Sequence, residues 1–156
     1  MISAQKGACK FQEKRSMPGD RVFLDSNIIV YAYDLSAGEK NKIAKEILVQ
    51  LWNNQLGVLS TQVLQELFVA LTKKIPKPLD AESAKLIVND LLKWDVIIND
   101  GEYILKAIEI HIKYKYSFWD SMIIEAALQS GADLLLSEDM SDGQIMNGLT
   151  IKNPFL

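Results

Sequence analysis

Four short apolar runs punctuate the chain: Val22-Phe23-Leu24, Val58-Leu59, Val96-Ile97-Ile98 and Leu134-Leu135-Leu136. Runs this short and apolar at every position suit strands covered on both faces, and such strands belong to parallel sheets whose crossovers are helices. The expected class is α/β. Between the runs, Ile43, Ala44, Ile47, Leu48, Leu51 and Trp52 mark one face of a helix over residues 39–54, with Gly57 expected as its stop. Val63, Leu64, Leu67, Phe68 and Leu71 mark a second, capped by Ser60 or Thr61 and ended by Pro76 and Pro78. Further helices are expected after Asp80, over residues 103–116, and from the box Ser117-Phe118-Trp119-Asp120 to a C-terminal Gly131. A last short strand is expected over residues 149–151.

The 156 residues correspond to one domain of ordinary size, read as a tail over residues 1–20 and a domain over 21–156. With 49% hydrophobic and 24% charged residues, the chain has the material for a real core. No uninterrupted apolar run reaches the roughly 18 residues of a membrane span, and the N-terminus has no apolar signal region, so no membrane role is expected. The single cysteine, Cys9, makes no internal disulfide, and His111 is the only histidine, so neither a disulfide scaffold nor a zinc site is expected. A reducing, cytoplasmic location fits. Seventeen Lys and Arg against 20 Asp and Glu leave a net charge of −3, which argues against holding a polyanion through a global positive field. Any such binding needs a local source of positive charge.

In open parallel sheets, ligands bind beyond the carboxyl ends of the strands where strand order reverses. Asp25 directly follows the first run and Asp139 closely follows the last, while Glu66 and Asp120 sit early on helices expected to start at the same end of the sheet. Each has a plainer role available: Asp25 and Asp120 as helix caps, Glu66 at the surface, Asp139 in a solvated loop. Together they form a set of carboxylates that would repel one another unless cations lay between them. Oxygen ligands in that number select Mg²⁺ or Mn²⁺ over zinc, and such ions support hydrolytic phosphoryl transfer.

The segments FLDSNIIVYAYD at 23–34, QELF at 65–68, SFWDSMIIEAAL at 117–128 and LLLSEDMSDGQ at 134–144, with the terminal IKNPF, together resemble the PIN domain family, particularly its VapC-type toxins. The resemblance covers nearly everything from Arg21 to Phe155. It implies a three-layer α/β/α fold with a central parallel sheet, and a Mg²⁺- or Mn²⁺-dependent endoribonuclease that cleaves RNA with a metal-activated water. By position in the motifs, Asp25, Glu66 and Asp120 correspond to the family's metal-binding acids and Asp139 to its more variable fourth. Ser26 or Asn27, and Ser137, fall where the family carries groups that orient those carboxylates. Glu138 and Asp139 are adjacent, a departure that leaves the fourth acid open between them, with Asp142 a third choice. The resemblance also implies a toxin–antitoxin pair with an antitoxin protein as partner, and a homodimer.

Lys73 and Lys74 beyond Glu66, and Lys113 and Lys115 before Asp120, are candidate RNA contacts, with solvated helix ends as the plainer reading. His111 reads as a half-buried helix residue, Trp52 and Trp94 as core or interface, and Trp119 as part of the site wall. A haloacid-dehalogenase-like phosphatase would want Asp-x-Asp where Asp25-Ser26-Asn27 stands, and the glycine-rich nucleotide-binding motifs are missing. A non-toxin nuclease, or a PIN scaffold that only binds a partner protein, are the remaining alternatives.

Overall fold

The computed structural model describes residues 20–156. The expected tail, apart from Asp20, and Cys9 lie outside the described residues. The chain runs β1 (Val22–Leu24), α1 (Ser26–Tyr33), a 3₁₀ turn (Leu35–Ala37), α2 (Glu39–Asn54), β2 (Gly57–Ser60) and α3 (Thr61–Val69), which ends in a π-helical turn (Ala70–Lys74). It continues through α4 (Ala81–Leu91), β3 (Asp95–Ile97), α5 (Gly101–Tyr114), α6 (Phe118–Gln129), β4 (Leu134–Leu136), β5 (Ile145–Met146) and β6 (Leu149–Lys152). Among the described residues no helix is long and apolar enough to cross a membrane.

The strand order is β3-β2-β1-β4-β6-β5, parallel except for the β5–β6 pair. From β1 the chain moves outward to β2 and β3, then returns to the other side of β1 for β4. Right-handed crossovers in opposite directions place their helices on opposite faces. The packing agrees: α1 meets α2 and α3, α3 meets α4, and α5 pairs with α6. The result is the three-layer α/β/α arrangement. Phe23, Leu24, Leu134, Leu135 and Leu136 are almost wholly buried at its centre, as continuous apolar strands require.

The caps explain most element starts. Ser60 accepts from the Val63 amide at 3.3 Å and Asp80 from the Ser83 amide at 2.7 Å. Ser117 accepts from the Asp120 amide at 3.1 Å, opening α6, and Gly131 at φ +71° closes it in the left-handed region. Asp100 starts α5 two residues before the expected position. Gly57 is not the stop of α2, because Gln55 already takes the left-handed conformation there. Its role is close packing: a Cβ on Gly57 would stand 2.3 Å from the Trp94 ring. Strand β5 was not expected, although the Asn147-Gly148 pair, both at positive φ, is the two-residue hairpin signal that joins it to β6.

Candidate active site

Strand order reverses between β1 and β4, so a crevice opens where those two strands end. Their last rung is the Asp25 amide donating to the Leu136 carbonyl at 3.0 Å. The next residues on either side, Asp25 and Ser137, are both buried. Ser137 Oγ donates to Asp25 Oδ2 at 2.7 Å, while the Ser26 amide donates to Oδ1 at 2.7 Å as the first turn of α1 begins. Asp25 is therefore a helix cap, as its plainer reading has it, and also the floor of a crevice. Only 5% of its surface is exposed. Burial pushes its carboxyl up to about 7, with the Glu66 and Asp120 carboxylates adding to the rise and the bonds from Ser137 and Ser26 opposing it.

Neutral donors tie the other acids to this floor. Ser26 Oγ donates to Glu66 Oε2 at 2.8 Å, and Asn27 Nδ2 donates to Asp139 Oδ2 at 3.0 Å, with a longer 3.5 Å approach to Asp25 Oδ2. Asp120 is half-buried in the first turn of α6. Burial raises its carboxyl, and the Asp139 and Glu66 carboxylates raise it further, while the Ser117 hydroxyl works against them. Asp25, Glu66, Asp120 and Asp139 thus share one electrostatic neighbourhood, with Ser26, Asn27 and Ser137 between them.

The three candidates for the fourth acid point to different partners. Glu138 pairs with Lys40 of α2. Burial opposes its ionisation, but Lys40 and the Tyr31 hydroxyl outweigh that and hold its carboxyl below the ordinary value. Asp142 meets Lys152 and accepts from the Asn153 amide at 2.8 Å. Asp139 alone of the three accepts from Asn27 through its carboxylate.

Three contributors were not foreseen. Gln62, buried on α3, donates through Nε2 to Glu66 Oε1 at 2.8 Å and to the Trp119 carbonyl at 3.2 Å, so it ties α3 to the start of α6. Both of those partners are acceptors, which sets the amide's orientation and leaves Gln62 Oε1 buried without a protein donor. Its place at i−4 from Glu66 was the available signal. Tyr116 gives its hydroxyl to Gln144 Oε1 at 2.5 Å and accepts from the Ser141 amide at 3.2 Å, fastening the loop that carries Asp139. Lys40, distant in sequence, carried no local signal.

Lys73 and Lys74 are exposed on the π-helical turn, and Lys113 and Lys115 are exposed at the end of α5, with Lys113 Nζ 5.1 Å from the Tyr114 ring. No hydrogen bond or ion pair joins these four to the acids. His111 is exposed rather than half-buried, its Nδ1 lying 2.5 Å from the Tyr116 carbonyl. Trp52 and Trp94 pack as a tilted pair with ring centres 6.1 Å apart, and Trp119 stands 63% exposed beside Asp120.

The donor set fits a hard divalent cation: every candidate ligand is a carboxylate oxygen, and sulfur and imidazole are absent from the crevice. Among the described residues, no three such side chains yet stand at the spacing of a closed metal site. The serine and asparagine donors occupy the space between them. Burial and, secondarily, mutual repulsion lift Asp25 and Asp120, and a cation among the carboxylates would offset both.

The PIN domain family model matches residues 22–141, which takes in all four acids. No curated protein gives a significant match. Among solved structures, a toxin–antitoxin complex from Klebsiella pneumoniae is similar at 20% identity and a TM-score of 0.61, covering 85% of this chain and 97% of the other. VapBC2 from Rickettsia felis, bound to a fragment of its promoter DNA, is similar at 19% and 0.60 with the same coverage. VapC20 from Mycobacterium tuberculosis, a toxin that cleaves the sarcin–ricin loop, is similar at 16% and 0.56, covering 73% of this chain and 86% of the other. At these identities the likeness establishes the fold. With the family match spanning most of the chain and the strand order, layers and crevice in agreement, the chain belongs to the PIN domain family.

Proposed function

We propose that this chain is a Mg²⁺- or Mn²⁺-dependent endoribonuclease and the toxin of a toxin–antitoxin pair. The observation that carries the reading is the buried carboxylate of Asp25 at the sheet's switch point, with Glu66, Asp120 and Asp139 gathered round it. A carboxylate lifted to about 7 by burial and by like charges is strained toward a cation partner. Asp25, Glu66, Asp120 and Asp139 are the residues that would hold the ion, directly or through water. Bound there, the ion supplies Lewis-acid activation of water and neutralises charge developing on the scissile phosphate. Ser137, Ser26 and Asn27 orient the carboxylates, and Gln62 sets the separation of Glu66 from the Asp120 turn.

The local positive charge that an acidic chain lacks would come from this ion. Exposed Trp119 beside Asp120 offers an unpaired base a stacking surface, and Lys113 and Lys115 stand at the end of α5, on the approach to α6. The solved relatives that are toxin–antitoxin complexes support an antitoxin partner. Exposed Leu35, Val49 and Trp52 on an open groove of about 600 Å³ beside α2 support contact with some protein. A homodimer and a cytoplasmic location belong to the same reading. The test is cleavage of single-stranded and structured RNA by the purified chain with Mg²⁺ or Mn²⁺. Cleavage that survives both EDTA and Asp25→Asn would overturn it.

A further inference from the structure

Adjacent carboxylates create a problem at the loop after β4. Glu138 and Asp139 are neighbours on this loop, and a flexible loop would let them compete for an ion in the crevice. The structure separates them. Glu138 forms an ion pair with Lys40 and receives the Tyr31 hydroxyl, on the α1–α2 side of the crevice. Lys40 is itself fixed from two sides: its Nζ lies 5.0 Å from the Tyr31 ring centre and 5.6 Å from that of Phe155. The two rings meet edge to face at 5.2 Å, so the C-terminal segment closes the box around the lysine. The Glu138 side chain is only 22% exposed, which leaves it little freedom to swing elsewhere.

The neighbouring backbone is fastened in register with this clamp. The Glu138 amide approaches Asn27 Oδ1 at 3.4 Å, the Asp139 amide approaches Ser137 Oγ at 3.3 Å, and Met140 is buried in the core. With Glu138 turned to Lys40 and Met140 turned inward, Asp139 is the side chain presented to Asn27.

Resting on the proposed metal site, we infer that Lys40 is a positioning residue: by holding Glu138 on the α1–α2 side, it makes Asp139 the sole acid that this loop contributes to the ion. Lys40 does not touch the substrate in this arrangement. Its removal frees Glu138 to enter the crevice as a competing carboxylate while the loop opens more often. The harm therefore comes from the freed charge rather than from lost packing.

The experiment is a double-mutant cycle on the full chain with Lys40→Met, Glu138→Gln and both together. Mn²⁺ affinity is read by electron paramagnetic resonance, RNA cleavage is measured against Mn²⁺ and RNA concentration, and amide hydrogen exchange is followed over residues 138–141. Lys40→Met is expected to change Mn²⁺ affinity and the Mn²⁺ needed for half-maximal cleavage by about tenfold, the scale of losing an outer partner of a metal ligand. It should also speed exchange in the loop. The double variant should return to within about threefold of the wild type. Unchanged Mn²⁺ affinity and exchange in Lys40→Met would overturn the inference. So would a double variant as impaired as Lys40→Met, which would make the lysine a packing element, or a rise confined to the KM for RNA, which would make it a substrate contact. A wild-type chain that neither binds Mn²⁺ nor cleaves RNA would instead overturn the proposed function, and loop exchange would still report on the clamp.

Discussion

The two halves of the acidic crevice are held by different physics. Asp25 stands on the sheet: its amide completes the last rung between β1 and β4, its carboxylate caps α1, and its surroundings are buried. Asp139 stands on an exposed loop, and side chains from distant elements hold that loop: Lys40 through Glu138, Tyr116 through Ser141 and Gln144, Lys152 through Asp142. The first half is placed by backbone geometry and carries a desolvated charge. The second is placed by staples and stays wet. Rigidity from the sheet comes with electrostatic strain, whereas rigidity from staples does not, but it can be lost one side chain at a time.

The sharpest way to break this contrast is Asp25→Asn. Cleavage should fall by about a thousandfold, at or beyond the loss of a principal transition-state contact. The metal-free protein should meanwhile become more stable at pH 8, by about 1–4 kcal/mol in urea unfolding. The sign follows from the raised carboxyl, at about 7 in the folded chain against 3.8 ordinarily. The folded state retains the proton more tightly, so the wild type's stability is full below pH 4 and declines as pH rises through about 7. The variant should lack that decline. A wild-type stability that rises between pH 4 and 8 would contradict the account of Asp25 as a strained group, provided other titrating carboxylates are matched in the variant.

Ser137→Ala tests the link between the halves, because Ser137 Oγ touches both Asp25 and the Asp139 amide. Losing a hydrogen bond to a buried carboxylate costs about 1.5–3 kcal/mol of its ionised form. The pH midpoint for Mn²⁺ binding should move upward, measured by titration across pH 5–9, and a downward shift would count against this role.

On the stapled side the effects should be smaller. Tyr116→Phe removes the hydroxyl shared by Gln144 and Ser141 and should cost about 0.5–1.5 kcal/mol, with faster exchange limited to the loop. Exchange that speeds up equally across β1 and β4 would mean the two halves are one cooperative unit. Smallest of all for the metal is Trp119→Ala: Mn²⁺ affinity should hold while the KM for RNA rises by about fivefold or more, the scale of one base stack.

The central strands were legible because their local pattern and their tertiary setting agree: Val22–Leu24 and Leu134–Leu136 are apolar throughout and buried throughout. Agreement weakens at the edges. Strand β3 is only partly buried and sits one residue earlier than its apolar run suggests, with Ile98 left 73% exposed. Gly57 was misread because a glycine next to a helix end usually serves as its stop, whereas the reason for this one is a tryptophan ring 37 positions away in sequence. Asp25 and Asp139 stood out as candidates because they follow such strands, whereas Glu66 and Asp120 lie on helices and stood out only as part of the set. Tyr116 and Lys40 were not legible, since nothing within a few residues of either announces a partner across the crevice, and the i, i+4 spacing of Gln62 and Glu66 signals that bond but not the reach of Gln62 to the Trp119 carbonyl.

By itself, the sequence determined the α/β class and the central strands and nominated Asp25, Glu66 and Asp120 with a fourth acid open among Glu138, Asp139 and Asp142, because strand periodicity and helix caps depend on neighbours in the chain. The tertiary structure decided how those acids differ: which is buried, which is wet, and which of two adjacent carboxylates faces the crevice. Burial and ion pairing depend on what the fold brings from elsewhere, so a loop reading Ser-Glu-Asp acquires its asymmetry only when Lys40, held against the Tyr31 and Phe155 rings, pairs with its glutamate.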